Sequence, residues 1–112
     1  MTGVHLRRRM ALEQPARSPD GAGGFVETWV TLGEVWVEVK AMPGREVTQG
    51  GQTLSRNAQR MVLRAAPQGS AMRPRPDQRL REGARIFTIL AVSDSDPTGR
   101  YLTCFTQEEV AP

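Results

Sequence analysis

Between Gly33 and Ala41 the chain alternates with a period of two. Val35, Val37, Val39 and Ala41 fall on one side, and Trp36, Glu38 and Lys40 on the other. Such alternation marks a strand with one face in a core and the other in water. Pro43-Gly44 ends it, because proline has no ladder donor and glycine accepts positive φ. The residues that follow, Arg45 to Asn57, are polar and include Gly50-Gly51. A long polar loop hung from a well-patterned strand is where a scaffold presents its function. This loop also has room for a helical turn.

Similar patterns recur along the chain. From His5 to Gln14, Leu6, Arg8, Met10 and Leu12 oppose His5, Arg7, Arg9 and Ala11, which predicts a strand. Three consecutive arginines cannot share one strand face, so Arg7–Arg9 fit a solvated face better than a patch aimed at phosphate or an acidic neighbour. Pro15–Gly24 is dense in turn formers and predicts a loop. Phe25–Val30 predicts a short strand with Phe25 and Trp29 as candidate anchors. Thr31-Leu32-Gly33 then turns the chain into the central strand, where Trp36 covers one rim of the core.

Asn57–Ala66 alternates again, with Met61, Leu63 and Ala65 against Arg60, Val62 and Arg64. The prolines of Pro67–Asp77 demand a loop, and Gln78–Ala84 predicts a turn. Arg85–Ser93 is apolar on both faces, as a central strand would be. The turn Asp94–Gly99 joins it to a last strand, Arg100–Gln107, as a hairpin, and Glu108–Pro112 is a frayed tail. Helical periodicity and internal repeats are absent. The pattern predicts an all-β fold: one domain over residues 1–112, a small β-barrel or sandwich of five to six antiparallel strands with a long projecting loop.

Composition narrows the function. With 112 residues and 38% hydrophobic content, the chain can build one small core, but not a core plus a deep catalytic cleft. Assembly partners would relieve that shortfall. The single cysteine, Cys104, sits in an apolar run and suits a buried small hydrophobe in a reducing compartment better than a reactive thiol. No run is long enough to span a bilayer, and no apolar segment follows Arg7–Arg9. A soluble cytoplasmic protein without a signal peptide or membrane contact is therefore expected.

Charge is uneven: residues 1–44 are neutral, 45–85 carry +6, and 86–112 carry −3. The middle thus offers a basic surface and the C-terminal part an acidic one. His5 has no partners at metal-ligand spacing, and the chain contains no G-x-S-x-G, Walker A or H-E-x-x-H motif. Gly21–Gly24 precedes no helical pattern, which argues against a phosphate cradle. Asp94 and Asp96 fit a polar turn better than an acid/base pair. These observations predict a protein that is not an enzyme and uses no metal or cofactor.

Six short motifs in order carry a family resemblance. They are Glu13-Gln14-Pro15, Gly24-Phe25-Val26-Glu27-Thr28-Trp29, Val35–Val39 (VWVEV), Pro43–Glu46 (PGRE), Glu82–Ile89 (EGARIFTI) and Arg100–Cys104 (RYLTC). In this order the chain resembles the head–tail joining, or head-closure (stopper), family of long-tailed phages and gene transfer agents. The resemblance runs from about Leu6 to Glu108. Pro67–Pro76 departs from it, being richer in proline and arginine.

The resemblance implies a small β subunit that forms a homo-oligomeric ring of six copies. The ring would lie between the portal–adaptor ring and the tail or its terminator, around packaged double-stranded DNA. It would be assembled in the bacterial cytoplasm and end up at the head–tail interface of a virion or phage-like particle. The resemblance also assigns the channel or partner loop to Arg45, Glu46, Thr48, Gln49, Gln52 and Arg56. Such a subunit acts as a gate: loops converge, hold the DNA end and later move aside. Heterologous ring contacts require two different faces of one protomer, which a basic middle and an acidic end would supply.

Two other readings remain at this stage. A tail terminator of the same machine is also a small β-rich ring subunit. A single-stranded nucleic-acid-binding barrel would need aromatics among its arginines, and residues 45–85 contain none. A helical adaptor does not suit a sequence without helical periodicity.

Overall fold

The computed structural model describes residues 4–41, 47–49, 52–54, 58–67, 69–94 and 96–109, the side chains of 41–57 excepted. Among these residues eight strands follow one another: β1 (Arg8–Pro19), β2 (Phe25–Ala41), β3 (Val47–Gln49), β4 (Gln52–Leu54), β5 (Ala58–Arg64), β6 (Arg79–Glu82), β7 (Arg85–Asp94) and β8 (Tyr101–Glu108). Six of them close into a barrel in the order β1-β2-β5-β8-β7-β6, every pair antiparallel. β3 and β4 form a separate two-stranded sheet. Among the described residues there is no helix long and apolar enough to cross a membrane.

Alternation selects the core. Val37 of the central pattern points inward and is fully buried, together with Met10, Leu12, Met61, Leu63, Leu80, Phe87, Ile89 and Cys104. Val35 and Val39 pack against this cluster, while Lys40 and Trp36 face outward. Truncating the largest of these residues, as in Phe87→Ala, is expected to cost about 3–5 kcal/mol through lost burial plus a cavity. Cys104 has no exposed surface, and burial pushes its thiol up to about 12. It is therefore expected to resist maleimide in the folded protein and to react only after denaturation. Fast labelling under native conditions would contradict the closed barrel at β8.

Four sequence expectations need correction. Pro15–Pro19 is not a loop, because β1 continues through it, pairing Pro15 with Trp29 and Pro19 with Phe25. Prolines are tolerated there because this part of β1 has no second neighbour to receive an N–H. Thr31-Leu32-Gly33 is not a turn either. β2 runs unbroken for 17 residues, with a bulge where Leu12 pairs Gly33 and Glu13 pairs Thr31, leaving Leu32 as the extra residue. Gln78–Ala84 contains a true strand, β6, and only its end turns, through Gly83 at φ 60°. The polar segment after β2, which had room for a helical turn, instead holds strands at 47–49 and 52–54.

β7 also bulges at Leu90, between the pairs Ile89–Thr106 and Ala91–Phe105. The extra residue leaves Leu90 exposed and returns Val92 to the core side. β5 and β6 lie opposite each other in the barrel order, so residues 65–78 must span its mouth. This gives the Pro/Arg-rich stretch a structural role. Met72 packs on the core, Pro74 is buried, and Arg73 donates to the Ala66 carbonyl at 2.9 Å. Gly33 leaves room for that cover, since a Cβ there would come within 2.8 Å of the Met72 sulfur.

Candidate assembly surfaces

The long β1–β2 hairpin is the most conspicuous surface feature. β6 pairs β1 only at Ala11–Glu13, and β5 pairs β2 only at Val37–Ala41. Residues 14–19 and 25–31 therefore pair only with each other and leave the barrel as an arm with two open edges. At its tip, Asp20 Oδ1 accepts hydrogen bonds from the backbone N–H of Ala22 (2.7 Å) and Gly24 (3.0 Å). Gly21 and Gly23 take the positive φ values this turn requires.

A two-stranded ribbon is marginal alone, so its base must be secured. Glu13 sits there, 4% exposed. It accepts from Arg79 Nε at 2.7 Å, Arg81 Nε at 2.9 Å and Thr31 Oγ1 at 3.2 Å. The Arg79 guanidinium also lies 4.0 Å over the Trp29 ring, tying the arm's second strand to β6. Burial alone would raise the Glu13 pKa, but the two guanidinium groups outweigh it and hold the carboxyl below its ordinary range. The clamp was not foreseen from the sequence, because Glu13 and Arg79 are 66 residues apart. Trp29 is thus an anchor as expected. Phe25 is not, being 65% exposed near the arm's tip.

A second ionic chain crosses the other end of the barrel. Arg8 binds Glu82 through both carboxylate oxygens, and Arg85 binds Glu108 at 2.8 and 2.9 Å. The hydrogen bond from Arg8 holds Glu82 below the usual carboxylate range, and Arg85 does the same for Glu108. Of the arginine triplet, Arg8 thus meets an acid of its own chain. Arg9 comes within 3.3 Å of Glu34 on a wet surface, and Arg7 is exposed.

The residues expected to form the channel loop divide in two. Arg45, Glu46 and Arg56 lie outside the described residues. Thr48, Gln49 and Gln52 belong to the β3–β4 hairpin, where Thr48 pairs Thr53 and Gln49 pairs Gln52. The hairpin thus brings the two glutamine positions opposite each other. The chain leading to it leaves the end of β2 opposite the arm. The remaining sequence candidates are structural or solvated. Asp96 caps its own turn through Thr98 and Arg100. Arg60 and Arg64 face water on β5. Trp36 does not cover the core, because it is 53% exposed at the edge of a groove of about 520 Å³ shared with Leu6, Leu63 and Met72. Among the described residues, no group of three His, Cys, Asp or Glu side chains could hold a metal ion.

A closed barrel with a hairpin arm standing off one end offers surfaces for assembly. A chain from the virion of a native gene transfer agent particle is 50% identical, with 96% of this chain and 98% of that one covered at a TM-score of 0.73. A protein from Shigella flexneri 2a, determined in solution, shares the fold at 20% identity and a TM-score of 0.70, with both chains fully covered. Among curated proteins none matches. The family model of the phage head completion protein matches residues 1–109, and the chain belongs to that family.

Proposed function

We propose that this protein is a structural head–tail connector of a phage-like particle, a stopper subunit that completes the head and joins it to the tail. The observation that carries this reading is the family match over residues 1–109, reinforced by the 50% identical chain of a gene transfer agent virion. The architecture suits a mechanical part. The arm stands off one end of β2, and in this reading the 45–56 segment beyond its other end faces the channel, so one subunit would contact a lateral neighbour and the bore at once.

In this reading six copies form a ring beneath the portal–adaptor complex and above the tail, assembled in the bacterial cytoplasm. Arg45, Glu46, Thr48, Gln49, Gln52 and Arg56 face the bore. Arginines there touch DNA phosphate without reading sequence, and no step is catalytic.

The test is a cryo-EM reconstruction of the portal vertex from particles whose copy of this protein carries a small C-terminal tag. A single ring of tag density between adaptor and tail is the expected result. Density at the upper end of the tail tube would make the protein a tail terminator, and none at the vertex would remove it from the connector.

A further inference from the structure

The arm's two faces differ in chemistry. Residues directly opposite in register share a face, so Val26–Ser18, Thr28–Ala16 and Val30–Gln14 form one face and Phe25–Pro19, Glu27–Arg17 and Trp29–Pro15 the other. The first face carries no charge at all. Val26 is 51% and Val30 45% exposed, so β-branched apolar surface lies open on a ribbon whose edges are also unpaired. Such a surface invites association unless something covers it.

The same chain carries a matching receptor. The groove beside the arm's base is lined by Leu6, Val35, Trp36, Leu63, Ala66 and Met72, with Glu34 and Arg64 as its charged members. Its own arm cannot fill it. Ten residues of continuous strand separate Phe25 from Val35, a span of about 33 Å at the rise of a β-strand. Charge agrees with a second copy as the occupant. Residues 14–31 carry Arg17 against Asp20 and Glu27, a net negative arm. In the groove, Glu34 is met by Arg9 of its own chain at 3.3 Å, while Arg64 is exposed and has no ion pair among the described residues.

We propose that the uncharged face of the arm seats in the groove of the next copy of this chain, with Val26 and Val30 against its apolar lining. Protrusion and receptor lie on different parts of one protomer, so the contact is heterologous and repeats until a ring closes. The inference rests on the connector reading above, and it names the lateral contact within that ring.

The test uses Val26→Cys and Ala66→Cys, each alone and together, in the full chain within assembled, tagged particles. A short bismaleimide should join the double variant into a ladder ending at the closed ring. Mixed single variants should give only dimers. Cys104 stays silent because it is buried. Val26→Asp, a change at an exposed site, should leave the monomer's melting temperature unchanged while abolishing ring formation. Tag density at the connector without any ladder, or a link to a different particle protein only, would overturn the arm-to-groove contact while leaving the connector role intact. Loss of tag density from the connector with unmodified protein would instead overturn the role on which the contact depends.

Discussion

Replacing Glu13 with alanine is expected to destabilise the protein by about 3 kcal/mol, because it leaves Arg79 without its buried carboxylate. For a chain of this size that corresponds to a fall in melting temperature of roughly 10–20 °C. The loss should exceed that of any rim ion pair, such as Arg9–Glu34, whose partners are both about 60% exposed. The effect reaches beyond stability. Glu13 joins β1 to β6 at the point where the arm departs, and Trp29 rests on the same arginine. With the clamp gone, even folded molecules should present a loosened arm. A tail-attachment assay below the variant's melting temperature should therefore fall, whereas an equally destabilising core change such as Met61→Ala should spare it. Equal loss in both variants would reduce Glu13 to a stability residue.

The clamp also sets a direction with pH. Glu13 has a folded pKa below its ordinary value of 4.5, so its contribution is complete above that value and disappears as pH falls through the lower folded one. Glu82 and Glu108, held down by Arg8 and Arg85, act in the same sense. The melting temperature should fall as pH drops below about 5, and fall less steeply in Glu13→Ala. A wild-type curve that stays flat over this window would contradict the ionic clamps.

Local physics explains which parts of this structure were legible in the sequence. The alternation of Val35, Val37 and Val39, and the doubly apolar run around Phe87, report burial directly, and burial is what fixes a strand's faces. The barrel followed from these. The arm did not. Pro15, Pro19 and Gly33 look like breakers in the sequence, but a free ribbon edge needs no N–H from the prolines, and Gly33 serves the close approach of Met72. A bulge at Leu32 adds one residue without ending the strand, which disguises one long strand as two short ones. The clamp was invisible for another reason. Glu13, Arg79 and Arg81 look like ordinary surface charges until barrel closure sets β1 beside β6.

Replacing residues 45–56 with a short glycine turn is expected to leave the ring and its tail in place but to empty the head. The barrel should tolerate the change, because β3 and β4 pair with each other and with no barrel strand. Ala41 already pairs Gln59, so a tight turn can close β2 onto β5 without disturbing the ladder. The removed segment carries Arg45 and Arg56 against Glu46 and no aromatic side chain. It can hold a DNA end by charge and bulk, but it cannot stack on bases. The connector reading therefore separates two functions along one strand: the arm at the start of β2 builds the ring, and the hairpin beyond its end closes the bore. Nuclease-protected DNA per tailed particle is the measurement, since it reads retention independently of assembly. Truncated particles should keep their tails and lose most of their protected DNA, and the arm variant Val26→Asp should show the reverse order of defects, failing before any tail attaches. Full DNA retention in truncated, tailed particles would move the gate to another part of the machine and leave this protein as a joint alone.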